Sequence, residues 1–486
     1  MVNFNTIPSD IRASGVYAEI NAQPKGESYY NRMLVIGHVT DDAKVAAGEY
    51  RLASDDLIGD WGNGSMLFEA IRSAKAAYPG YRIFGLAVAE PATGGVKATA
   101  TITVNADVLP VAVPRQAVFY LGSRAEERLA VPVYVTDTAA TLAARIASAV
   151  NAGYAYGAFT AQYGVVATVA SNVVTLTARH KGVVGNTLKV ATGVHALDDD
   201  FAATGLTITA FSAGAGLVDL AAALANLGAE AFDTLASPWC DATALEDVAG
   251  FLADREQWDE ELYGHYFSAQ YDTFANLYTA GAARNSQYYS VVGVKQPLDP
   301  SWRLAAELAA HVANWYATGN RRRGMKGIVL AAKAVTRKDG WTVAERDQLL
   351  RVGVTPLTVG MNGRFAIDRN ITAYRTNADG VPDTTWLDVS TRYRTIYAVR
   401  NFRDMLIARY QRSARNDDIA AAIGADLDHK YIELEDGGDG ILVNSNAFRS
   451  ARQVQRDGLD RIDIYAPLAV RSDLHVIAIN ATIRVS

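Results

Sequence analysis

The sequence predicts an α/β core, a mixed sheet flanked by helices, interrupted by an inserted β-rich domain containing one helix and completed by extended terminal strands. Three observations predict it. Strand-like and helix-like segments alternate on both sides of a central stretch, the order that builds a sheet covered on both faces. Between Glu90 and Gly216 the composition changes: all seven Trp and all six Met lie outside it, and its 127 residues carry 8 basic and 8 acidic side chains. Both ends of the chain carry alternating, strand-like runs. The length, 486 residues, fits three units of ~150 residues or one domain with a large insertion.

Half of the residues are hydrophobic and 20% are charged, a globular composition. The formal charge of −6 provides no basic field for nucleic acid. A single cysteine, Cys240, excludes an intramolecular disulfide framework and a multi-cysteine zinc site. The start, MVNFNTIPSDIR, lacks the basic and apolar regions of a signal peptide, and no run reaches the ~20 apolar residues that span a bilayer. Synthesis in the cytoplasm without membrane insertion is expected.

The elements follow in order. Residues 1–31 form an N-terminal arm. In the first part of the core, 32–89, RMLVIGHV is a buried strand. MLFEAIRSAKAAY is a helix capped near Ser65 and ended by Pro79, and RIFGLAVAE is a second strand. The insertion, 90–216, has alternating strands at Ala98–Asn105, Asn172–Arg179 and Leu206–Phe211, plus the helix ATLAARIASAVNAG capped by Asp137 or Thr138. In the second core part, 217–341, a helix near Leu217–Leu227 precedes the strand FDTLAS. Helix and strand then alternate through ALEDVAGFLADREQW, LYGHYFSA, TFANLYTAGAAR, YYSVVGVK, SWRLAAELAAHVANWYA and GIVLAA. From 342 to 473 the rhythm changes. Thr342-Val-Ala-Glu345 is a capping box, and LTVGM and FAIDRNITAYRT are strands leading to a turn at Asn377–Gly380. RYRTIYAVRNFRDMLIARYQR is a long helix, EDGGDG a loop, Asn446–Asp457 a helix and DRIDIYAP a strand. Residues 474–486 are a C-terminal arm strand.

Catalytic motifs are weak. Gly59-Asp-Trp-Gly-Asn-Gly64-Ser65 opens a helix and offers backbone N–H groups to an anion, yet it is neither GxGxxG nor GxxxxGK[ST]; a turn and helix cap explains it. No GxSxG elbow exists. The histidines at 38, 180, 195, 265, 311, 429 and 475 never fall at ligand spacing and are expected to stand singly. Cys240, beside a helix start, is expected to be a small apolar residue. Glu433, Glu435, Asp436 and Asp439 miss the EF-hand spacing and suggest a solvated turn. Asp198-Asp199-Asp200 suggests an exposed linker, and Arg321-Arg322-Arg323 with Lys326 a run that pairs with carboxylates or a protein partner. Neither a cofactor nor a metal is expected.

Two features point to assembly. The runs VYAEINA near the start and LHVIAINATIRV at the end carry backbone groups that must find a sheet edge, either their own or that of a neighbouring subunit. Arg449, Arg452 and Arg456 recur at i, i+3 and i+7, which on a helix places three guanidiniums on one face, solvated or docked on an acidic partner.

The sequence resembles the contractile-tail sheath protein of Mu-like bacteriophages. The resemblance is carried by RLASDDLIGDWGNGSML, FDTLASPWCDATALEDVAGFL, STRYRTIYAVRNFRDMLIARY and DRIDIYAPLAVRSDLHVIAINATIRV, in that order, and the insertion is similar to the domain that decorates such sheaths. QRSARNDDIAAAIGADLD after Tyr410 departs from the proline- and lysine-containing stretch of the family. The resemblance implies a virion tail subunit without catalysis. Copies form sixfold rings stacked helically around a tail tube, with baseplate and tail terminator proteins as further partners. They contract from a high-energy extended state to drive the tube through the host envelope. It implies that Val16, Tyr17, Ala18, Glu19 and Ile20, and Val476, Ile477, Ala478, Ile479, Ile483 and Val485, are intersubunit strands, and that Arg449, Arg452 and Arg456 face the tube. The alternative is an α/β enzyme whose inserted β lid closes on a small substrate. It expects a deep pocket lined by convergent polar residues with shifted pKa values.

Overall fold

The computed structural model describes residues 32–122, 127–195, 197–295, 297–334, 338, 340–411, 418–436, 440–457 and 461–475. Both terminal strand candidates, Val16–Ile20 and Val476–Val485, lie outside these residues.

Strand β1 (Met33–Gly37) is buried at all five positions, the continuous apolar run of a strand covered on both faces. After β2 (Tyr50–Leu52) come helix α1 (Leu57–Trp61), helix α2 (Met66–Ala77) and β3 (Ile83–Ala87). Ser65 caps α2 as expected, its hydroxyl accepting from the Phe68 amide at 3.0 Å.

The middle stretch supplies β4 (Lys97–Val104), β5 (Arg115–Leu121), β6 (Leu129–Val133), α3 (Ala139–Ala152), β7 (Tyr154–Tyr156), β8 (Phe159–Ala161), β9 (Val165–Ala170), β10 (Val173–Lys181), β11 (Val190–Ala191), the short α4 (Phe201–Thr204) and β12 (Leu206–Ile208). Thr138 caps α3 in a reciprocal box with Thr141. These strands form their own sheets, in the orders β12-β4-β10-β9, β11-β5-β6 and β7-β8. Their apolar residues nevertheless belong to the same buried cluster as β1 and α2: Ala98, Phe119 and Leu176 are continuous with Met33 and Phe68. Of the run Asp198–Asp200, expected as an exposed linker, only Asp200 is exposed. The Asp198 side chain is fully buried and accepts from the Tyr120 hydroxyl at 2.9 Å, while Asp199 takes both Nε and Nη2 of Arg115.

Then follow α5 (Leu220–Ala225), β13 (Thr234–Ala236), α6 (Ala242–Arg255), β14 (His265–Tyr271), α7 (Phe274–Ala282), β15 (Tyr289–Val294), α8 (Ser301–Ala317), β16 (Val329–Lys333), α9 (Val343–Arg351), β17 (Val354–Val359) and β18 (Arg364–Ile367). The Thr342–Glu345 capping box opens α9. The segment FAIDRNITAYRT is a strand only over its first residues, because β18 ends at Ile367 and the chain turns to meet Asp388 through Ile371.

One nine-stranded sheet has the order β16-β18-β17-β15-β14-β13-β1-β3-β2, parallel from β17 to β3 and antiparallel at its edges. The chain steps from β1 to β3 in one direction, returns to the far side of β1 as β13, and then steps away through β14, β15 and β17. Right-handed crossovers therefore place α2 on one face and α6 and α7 on the other. Helix α8 packs on α2, β13 and β14.

The C-terminal part contains α10 (Val389–Tyr410), α11 (Ile419–Asp436), α12 (Ser445–Ala451), β19 (Gln453–Asp457) and β20 (Arg461–Tyr465). Helix α10 closes the amino-terminal ends of the central strands. Tyr393 donates to the Asp233 carbonyl at 3.0 Å, Arg400 pairs with the Asp233 carboxylate at 2.5 Å, and Arg392 pairs with Glu256. The run Arg321–Arg323 is folded into this seam. Arg321 lies 3.8 Å from the Tyr397 ring centroid, and the carbonyls of Arg321 and Arg323 accept from buried Arg394. Helix α11 occupies the stretch that departs from the expected family pattern. Ile423, Leu427, Tyr431 and Leu434 form its buried stripe. Glu433, Glu435 and Asp436 therefore sit on a helix rather than a solvated turn, and Glu435 accepts from the Ser445 amide at 3.0 Å.

The helix expected over Asn446–Asp457 stops at Ala451. Arg452 is extended (φ −64°, ψ 150°), and Gln453–Asp457 pairs antiparallel with β20. Val454 opposite Ile464 follows a strand's two-residue period, which overrides the arginine spacing. Arg449, Arg452 and Arg456 consequently do not share a helical face. Arg449 is on α12, Arg452 forks onto Asp428 with two bonds of 2.7 Å, and Arg456 is on β19.

Candidate functional site

In an open sheet of this kind the binding crevice lies at the carboxyl ends of the strands where their order reverses, here between β1 and β13. His38 follows β1, Trp239 follows β13, and the edge of the His38 ring meets the Trp239 ring at 5.1 Å between centroids. Strand β10 enters this crevice: the His180 ring lies 5.4 Å from that of His38. The two histidines expected to stand singly are thus neighbours.

The N-terminus of α2 opens beneath them. Its free amides are Met66, Leu67 and Phe68, and all are used: Met66 donates to His180 Nε2 at 3.2 Å, Leu67 to the His38 carbonyl at 3.0 Å and Phe68 to Ser65. The donors that a bound anion would need are satisfied within the chain. Gly64, in the glycine-rich loop, has φ +73°, and a Cβ there would lie 2.9 Å from both Arg179 Nε and the Tyr163 carbonyl, so the loop is shaped to admit β10. Burial, then the neighbouring His180, lowers the pKa of His38 to about 4; burial also lowers that of His180, against the hydrogen bond it donates to Glu90.

A second contact joins the middle sheets to the core. Arg303 of α8, 1% exposed, forks onto Glu127 at 2.9 and 3.1 Å, and Arg72 of α2 reaches the same carboxylate at 2.5 Å. Arg72 also donates to the Tyr154 hydroxyl at 2.7 Å, and Trp302 donates to buried Glu69 at 2.7 Å. Burial raises the pKa of Glu69, and the Arg303 and Arg72 charges oppose it. Asn63 adds a two-way clasp, donating to the Thr160 carbonyl and accepting from the Gln162 amide. Sequence spacing held no sign of this network, because its members come from three separate stretches.

A groove of about 820 Å³ runs between α6 and α7, lined by Trp239, Cys240, Ala249, Ala269 and Arg284. Burial pushes the Cys240 thiol up to about 11, away from nucleophilic chemistry, as expected of a small apolar residue. Asp241 spends its carboxylate capping α6, accepting from the Ala244 amide, and Arg284 donates to the Cys240 carbonyl and to Gln270. Among the described residues no group of three metal-binding side chains occurs, and no helix is long and apolar enough to cross a membrane.

The remaining site is the β19–β20 hairpin. Among the described residues each strand pairs only with the other, so both outer edges carry open backbone donors and acceptors. Val454, Ile462 and Ile464 anchor it on α11 and its neighbours.

No family model matches the chain. Over 422 residues it is 26% identical to the Mu-like prophage FluMu tail sheath protein of Haemophilus influenzae, an alignment covering 86% of this chain and 84% of that protein. Among solved structures it is similar to a sheath tail protein of Desulfitobacterium hafniense (14% identity, 94% of this chain and 97% of that chain, TM-score 0.49). It is also similar to one of Listeria innocua (12% identity, 92% and 96%, TM-score 0.44).

Proposed function

We propose that this chain, a relative of a Mu-like tail sheath protein along most of its length, is the structural subunit of a contractile tail sheath. The observation that carries the proposal is the 26% identity over 86% of the chain. Copies polymerise around a tail tube in a metastable extended state and contract to drive the tube through the host envelope. The subunit is assembled in the host cytoplasm into sixfold rings stacked helically, between a baseplate and a terminator. It works without catalysis.

The hairpin supports the proposed role of the arms. An isolated two-stranded sheet is marginal in water, and a third or fourth strand stabilises it. We assign those strands to neighbouring subunits: Val16–Ile20 and Val476–Val485 would add to the open edges of β19 and β20. A heterologous contact of this kind does not close and builds an open filament. Residues 90–216 would form an outer domain inserted in the core, carried rigidly by the Glu127 and His180 contacts. Arg449 and Arg456 remain the candidates for tube contact together with Arg452, which reaches a tube only by sharing or leaving Asp428. Charge reversal at Arg449 and Arg456 is expected to give empty, contracted-like tubes, and normal extended tails would reject the assignment. Each exposed ion pair contributes only ~0–1 kcal/mol, so adhesion would rest on repetition along the tail.

A further inference from the structure

We propose that His38 and His180 form an acid-released latch between the sheet and the β-rich stretch 90–216, open when His180 is protonated. The geometry assigns the proton positions. The Met66 amide donates to His180 Nε2, so that nitrogen must be an unprotonated acceptor; Nδ1 then carries the hydrogen and donates to Glu90 Oε1 at 3.1 Å. A proton on Nε2 would set two N–H groups against each other at 3.2 Å, at the positive end of α2. His38 donates from Nδ1 to the Val88 carbonyl at 2.9 Å, and its ring centroid lies 5.4 Å from that of His180, too close for two buried cations.

The charged groups around the pair come from each element packed on it. Glu90, after β3, favours the charged rings; Lys97 of β4 and Arg179 of β10 disfavour the charged His180. Asp42 and Glu69 act on Arg179. Glu90 is the one carboxylate on the histidines, and burial outweighs it in both. The latch spans the junction: His38 and Met66 belong to the sheet and its helix, His180 to the sheet β12-β4-β10-β9. Acid would therefore separate the α2 N-terminus from β10 while the rest of the nine-stranded sheet stays intact. The latch is a property of the subunit and stands whether or not it assembles.

Hydrogen exchange of the full chain, followed by mass spectrometry over residues 62–69 from pH 7 to pH 4 and corrected for intrinsic rates, tests it. Wild type should lose protection by about tenfold or more as pH falls below 6, whereas His180→Gln, whose amide can donate to Glu90 and accept from Met66 without taking a proton, should lose far less. An identical fall in both proteins, or no fall in wild type, overturns the latch. Should the variant fail to fold, histidine NMR of the wild type decides: a His180 ring titrating well below 6.5 supports it, and one at or above 6.5 overturns it.

Discussion

Arg303 is 1% exposed, and its charge is tolerated because Glu127 meets it with a bidentate pair, while Arg72 shares the same carboxylate. Removing one partner of a buried pair costs about 3–5 kcal/mol, and here Asp299, 3.6 Å from Arg303, keeps part of the compensation, so the loss falls toward the lower end. Glu127→Ala should lower stability by that order in urea unfolding, and a loss below about 1 kcal/mol would show the network to be slack. His38 adds a pH dependence whose sign follows from its pKa of about 4 in the fold, below the ordinary histidine value of 6.5. The fold prefers the neutral ring, so its contribution is complete above pH 6.5 and is lost as pH falls toward 4. The loss is on the order of 3 kcal/mol. Urea midpoints between pH 7.5 and 4.5 should fall in wild type and fall less in His38→Gln. Neither site was legible in the sequence. The Arg303 and His38 partners come from distant stretches, and no local spacing marks a contact that only packing creates.

Single elements show what local patterns can and cannot carry. Ser65 and Thr342 were recognisable as caps because the capping bond is made within three residues. Most core strands were legible as continuous apolar runs. Helix α11 had a readable stripe, Ile423, Leu427, Tyr431 and Leu434, but the acidic and glycine-rich end of that stretch suggested a turn. The arginine spacing at 449, 452 and 456 imitated a helix, although Val454, Ile462 and Ile464 kept strand period. Strand β9 shows an edge device that only the structure reveals. It is an uncharged edge, VVATVA, and the Asn151 side chain both accepts from the Ala167 amide at 2.9 Å and donates to its carbonyl at 2.8 Å. The amide takes the place that another strand would fill. In a chain ending at His475, Asn151→Ala should keep its helix content in circular dichroism but self-associate in light scattering; a variant as dispersed as its parent would contradict this. Gly64→Ala, at φ +73° and against β10, should destabilise by about 1–3 kcal/mol, measured as a lowered urea midpoint with an unchanged slope.

At the scale of the whole molecule, the fold has the strand order of an open α/β sheet, and β10 meets it at the point where that order reverses. The resemblance to Mu-like tail sheath proteins read from four separated segments is borne out by a relative aligned over most of the chain. The composition change at 90–216 corresponds to sheets that share no strand with the nine-stranded one, yet their packing is continuous with the core, which composition does not report. Among the described residues the outer edges of β19 and β20 have no partner strand, and the arms of other copies are the proposed partners. Electron microscopy of the purified full chain beside a chain ending at His475 tests this most directly. The account predicts tubes or stacked rings from the full chain and dispersed, folded particles from the shortened one. Equal tubes from both would contradict it.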